Sequence, residues 1–199
     1  MHVRSFVSRV VAIAAFAVVA ATSLFAVPAT SPRVRGFIPN NGQWPAEVLY
    51  LHQDPGMFVW ITKTGLLIDR FAVDHEASSR VGQVIRGEWD NGGQGSVARA
   101  SAPTGTRVSC FVGNNPSAWR TSNAVVSAVT VSGVYPGIDI EYYEDAQGRL
   151  RYDLHAAPGA DVSRIGMSFT GADAVTVDAG RVKLATRRGD IVMTDLAVF

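Results

Sequence analysis

Apolar and polar positions alternate with a period of two along most of the chain beyond residue 36, most clearly over residues 133–161, GVYPGIDIEYYEDAQGRLRYDLHAAPGAD. Ile138, Ile140 and Tyr142 alternate with Asp139, Glu141 and Tyr143; Leu150, Tyr152 and Leu154 alternate with Arg149, Arg151, Asp153 and His155. This period predicts two strands, each with one face buried. Keeping both apolar rows on one side sets Ile138 opposite Leu154, Ile140 opposite Tyr152 and Tyr142 opposite Leu150. The loop is then Asp145-Ala146-Gln147, with Gly148 at positive φ. In this register Glu141 faces Arg151, a pair worth roughly 0.2–1 kcal/mol. Asp139 faces Asp153, which is unfavourable unless water, an arginine or a cation lies between them.

The same pattern recurs on both sides of this hairpin. Residues 48–52 read as a short strand, and 57–63 with 66–73 as a hairpin around Thr64-Gly65. That hairpin is apolar on both faces: Phe58, Trp60, Leu67 and Phe71 on one, Val59, Ile61 and Ile68 on the other. It therefore belongs in the middle of the fold, covered from both sides. Its aromatic row reads as core rather than as a ligand platform. Trp44 and Trp119 read as anchors, Trp44 on this first hairpin. Residues 74–105 change character, and Asp90-Asn91-Gly92-Gly93-Gln94-Gly95 reads by composition as a flexible polar loop. Further strands fall at 106–112, 125–131 and 165–170. A last hairpin, 175–177 with 182–186, is followed by 191–193. Turn residues recur every 8–12 positions and no helix of ordinary length is evident after the N-terminus. The expected fold is all-β: an antiparallel, β-sandwich-like domain of consecutive hairpins.

The N-terminus reads differently. Arg4 and Arg9 precede an uncharged apolar run at 10–21, followed by small residues. This is a secretory signal-peptide pattern. An uncleaved anchor is the alternative, because the run at 10–27 approaches the lower limit for spanning a bilayer. The division is a signal peptide at 1–29, a linker at 30–35 and a β-rich domain at 36–199. It implies a secreted or cell-envelope protein. The chain stops at Phe199 without turn residues, as if inside a strand, so a longer protein is expected.

Composition narrows the function classes. The chain has 199 residues, 47% hydrophobic and 18% charged, enough for one sizeable core or two small ones. Without Arg4 and Arg9, 16 basic residues face 17 acidic ones. That balance offers neither a basic footprint for nucleic acid nor electrostatic attraction to a membrane once the signal is cleaved. The one cysteine, Cys110, lies in an apolar strand with no activating histidine nearby in sequence, and reads as a small buried hydrophobe.

Several phrases occur in a set order: FIPNNGQWPAEVLYL at 37–51, FVWITKTGLLI at 58–68, FVGNNPSAW at 111–119, the hairpin at 133–161, IGMSFTGAD at 165–173 and DAGRVKLATRRGDI at 178–191. Together they resemble the uncharacterised N-terminal domain that precedes seven-bladed β-propeller-type (SBBP) repeats, or PKD-like and gliding-motility modules, in large exported bacterial proteins. The resemblance implies an extracellular or cell-surface β module at the head of a longer chain, with no catalytic motif to carry over. Residues 74–105 depart from it, and Cys110 stands where an aromatic or polar residue is usual.

Asp139, Glu141 and Asp153, with His155 beside them, form the one constellation that stands out. Facing carboxylates suit calcium through oxygen ligands, with Asp139 and Asp153 as the ligands, or a glycosidase-like acid/base pair. The plainer reading is a solvated face paired with Arg149 and Arg151. The histidines, at 2, 52, 75 and 155, lack zinc spacing. No cofactor is implied. The expected function is a non-enzymatic surface module with a structural, adhesion or interaction role toward a protein or glycan partner. The alternative is a glycan-binding or carbohydrate-active module using Asp139, Glu141 and Asp153.

Overall fold

The structure, a computed structural model, describes residues 33–74 and 79–194. The expected signal peptide at 1–29, the first residues of the expected linker and residues 195–199 lie outside the described residues. Fifteen strands are present among them. They are β1 (Phe37–Pro39), β2 (Val48–Asp54), β3 (Met57–Thr62), β4 (Gly65–Asp74), β5 (Ser79–Trp89), β6 (Val97–Ala100), β7 (Pro103–Cys110) and β8 (Arg120–Val126). The rest are β9 (Ala128–Tyr135), β10 (Ile138–Glu144), β11 (Leu150–Ala156), β12 (Met167–Thr170), β13 (Ala174–Asp178), β14 (Arg181–Ala185) and β15 (Ile191–Met193). Helical structure among the described residues is limited to single 3-10 turns at Pro116–Ala118 and Val162–Arg164.

The strands form an eight-stranded sheet (order β12-β5-β4-β3-β2-β1-β8-β7), a four-stranded sheet (β11-β10-β9-β6) and a three-stranded sheet (β13-β14-β15). Paired strands are antiparallel throughout, as the all-β, sandwich-like reading requires. The main core lies between the large sheet and the four-stranded one. Val59, Ile61, Ile68 and Ile85 meet Val129, Val131, Ile138, Ile140 and Tyr142 there. A second cluster, Ile38, Leu51, Phe58, Trp60 and Val125, lies on the opposite face under Trp44. Successive residues of β3 thus feed different cores, which is why that strand is apolar at nearly every position. Trp44 meets Trp60 edge-on at 5.0 Å, the expected anchor contact.

Three expectations need correction. Within the stretch that changes character, β5 pairs with β4 from Ser79 to Glu88, and the turn expected to be a flexible polar loop is not one. The glycine-rich turn after it is packed, with Gly92 and Gly93 buried. Gly93 has φ +77°, a Cβ there would strike the Lys63 carbonyl, and its N–H donates to Val134 O at 2.9 Å. Composition does not separate a mobile glycine from one chosen for close approach. The stretch at 125–131 is not one strand, because the chain changes sheets at Ser127, between β8 and β9. Trp119 is no core anchor: it is 39% exposed and rests edge-on against the exposed Phe111.

Candidate functional site

The hairpin of β10 and β11 keeps the expected faces but shifts register by two. Ile140 pairs with Leu154 and Tyr142 with Tyr152; Asp139 stands opposite His155, and Glu141 opposite Asp153. The expected Asp139–Asp153 and Glu141–Arg151 pairs do not form. The cause is the turn. Asp145 Oδ1 accepts the N–H groups of Gln147 and Arg149, at 3.0 and 2.9 Å, and the Asp145 N–H donates to Arg149 O. This side-chain turn lengthens the loop to residues 145–149 and moves β11 along by one pleat. Gly148 takes positive φ, +80°, as expected.

On the outer face each acidic group has a partner within the chain. Asp139 Oδ1 accepts the Gly133 N–H at 2.8 Å. Glu141 lies 3.3 Å from His155 Nε2. Asp153 accepts the Tyr143 hydroxyl, which burial and then that hydrogen bond push above the usual phenol range. Asp139, Glu141 and Asp153 therefore line one strand face, with Glu141 and Asp153 as direct cross-strand neighbours. Among the described residues no group of three or more His, Cys, Asp or Glu side chains is placed to hold a metal ion. Cys110 is half-buried; burial pushes its thiol up, away from the reactive thiolate, and Asn123 Nδ2 lies 3.8 Å from its sulfur.

Among the described residues, the densest charged cluster lies elsewhere, at the seam between the two large sheets. His52 of β2 is 0% exposed and shares the inner face with Phe37, whose ring centroid is 5.4 Å away. Asp54, two residues on and hence on the same face, reaches His52 Nε2 at 3.3 Å. Glu144 comes from the opposite sheet as the next member of the inward row Ile138, Ile140, Tyr142. Its Oε1 lies 3.4 Å from His52 Nδ1, outside hydrogen-bond geometry, and Nδ1 has no hydrogen-bond partner.

Two arginines close the cluster from the N-terminal side. Arg35 Nε donates to Glu144 Oε2 at 2.6 Å, and the Gly36 N–H donates to Glu144 Oε1 at 2.9 Å. Arg33 meets Asp54 at 2.8 Å and donates to the carbonyls of Gln53 and Gly148. Residues 33–35, assigned by sequence to the linker, thus bind both the large sheet and the β10–β11 turn. A histidine oriented by carboxylates is also the layout of a general base. Here the ring has no surface for a substrate atom to reach, and guanidinium groups stand where a cation would sit. The arrangement is a cross-link between sheets. Sequence reading passed over it because His52 has no ligand spacing; the available signal was Glu144, a charge on the buried face of β10.

A family described as a domain of unknown function, DUF7948, matches residues 37–199. No curated protein and no solved structure matches the chain.

Proposed function

The chain belongs to this domain family of unknown function, and from that footing we propose that it is an exported, cell-surface β module with a structural or protein-interaction role. In this reading it is not an enzyme, and it stands ahead of further modules such as SBBP or PKD-like repeats in a longer protein. The observation that carries the reading is the use made of charge. Glu144, Asp54, Arg33 and Arg35 neutralise one another around a ring closed to solvent, while Asp139, Glu141 and Asp153 are tied to neighbours on an open strand face. The leader-like residues 1–29 support export.

Surface biotinylation of cells expressing the tagged full-length gene product tests it. Labelling of intact cells is the expected result; a product labelled only after lysis contradicts it. The second reading, a glycan module using Asp139, Glu141 and Asp153, predicts polysaccharide binding or cleavage that Asp139→Asn with Asp153→Asn abolishes.

A further inference from the structure

One long edge of β5 is only half used. β12 pairs with Arg86 through Trp89 and stops, whereas β4 pairs with β5 as far as Ser79. The Trp89 N–H donates to Thr64 O, on the β4 side. Strand alternation then turns the main-chain groups of Arg80 and Gly82 toward the other edge. Among the described residues no strand takes them. Such an edge is a template for pairing with another chain.

A groove of about 510 Å³ runs beside it, between Val81, Gly82 and Gln83 on one side and Gly171, Asp173, Arg187 and Arg188 on the other. Its walls are held in place. Gln83 Nε2 donates to Gly171 O at 2.8 Å and to Asp173 Oδ1 at 3.1 Å, and Gln83 Oε1 accepts the Arg187 N–H at 2.9 Å. Thr186 Oγ1 accepts the Arg188 N–H at 3.1 Å and donates to Gly189 O at 2.7 Å, fixing the turn that presents both arginines. Asp173 is the one carboxylate in the lining, 3.8 Å from Arg187 Nε, and both side chains are well exposed. The groove is therefore net positive. Val81, 49% exposed, adds an apolar ledge.

We infer that the Arg80–Gly82 edge of β5 is a docking slot for an extended acidic peptide segment of a partner protein. The segment adds as a strand antiparallel to β5, with its backbone on Arg80 and Gly82, acidic side chains on the face of Val81 and Gln83 toward Arg187 and Arg188, and apolar side chains on the opposite face. Strand addition takes its affinity from main-chain hydrogen bonds and its selectivity from the flanking side chains. The slot is remote from the His52 cluster and does not depend on where the chain resides, so it stands or falls separately from the export reading.

The test is fluorescence anisotropy of a labelled (Val-Glu)4 peptide on the full chain. Saturable binding is expected. The Arg187→Glu/Arg188→Glu double variant should weaken it at least tenfold at unchanged Tm. Two peptides N-methylated at alternate residues, one for each edge, separate backbone pairing from charge: one of them should lose at least tenfold. Absence of saturable binding by (Val-Glu)4 overturns the inference. Equal affinity for both N-methylated peptides also overturns it, leaving a charge-only groove of the kind alginate would fill in the same assay. Concentration-dependent dimers in sedimentation that the peptide does not dissociate overturn it in favour of a second copy of the chain.

Discussion

Glu144 holds two partners in the N-terminal segment, Arg35 at 2.6 Å and the Gly36 N–H at 2.9 Å, and lies 3.4 Å from His52 Nδ1. Its side chain is 8% exposed, so water does not compensate for a lost partner. Arg35 is 58% exposed and water takes over its charge, so the cost of losing Glu144 is that of the buried Gly36 N–H left without an acceptor, about 1–3 kcal/mol. Glu144→Leu should lower Tm by at least about 2 °C, at roughly 2–4 °C per kcal/mol for a domain of this size, measured by calorimetry. Asp145 acts on the turn. Desolvation works against its ionised form, but the N–H and guanidinium of Arg149 and the N–H of Gln147 outweigh that and hold the carboxyl below the usual range. A carboxyl depressed by folding stabilises the fold above its unfolded value, about 3.9, and the benefit is lost as pH falls through the lower folded value. The amides of Gln147 and Arg149 should thus be protected from hydrogen exchange at pH 5 and lose protection only as pH falls below the usual carboxylate range. Asp145→Ala should remove the protection already at pH 5.

The strands were legible wherever alternation is clean. The two-sided apolar hairpin of β3 and β4 is present with both faces covered, because period-two patterning reports burial directly. Register was not legible. The faces of Ile138, Ile140 and Tyr142 fix parity only, and a shift of two keeps parity; the side-chain turn at Asp145 makes the choice. Glycine usage was equally opaque, since Gly93 and Gly95 look alike in sequence. Gly93 has φ +77° and a backbone carbonyl in the way of a Cβ, whereas Gly95 has φ +80° and open space. Positive φ costs a non-glycine residue on the order of 1–3 kcal/mol. Gly93→Ala adds a collision to that and should destabilise clearly more than Gly95→Ala. Urea denaturation compares them, and equal midpoints would contradict the packed-turn description.

For the whole molecule, the sheets share one core and are also joined at the seam by charge. Tyr142 sits in that core, its hydroxyl 3.4 Å from Trp89 Nε1, and burial pushes its phenol far above the usual range. The main core and the seam therefore should melt together, in a single calorimetric transition. Little of this joint could be read in advance. Arg33 and Arg35 look like linker residues, and His52 like an isolated histidine, until the fold brings positions more than a hundred residues apart together. A double-mutant cycle on Arg35→Met and Glu144→Leu measures the joint directly. The seam described here gives a coupling of about 1 kcal/mol, with the double variant less destabilised than the sum of the singles. Effects that add within about 0.3 kcal/mol would contradict it.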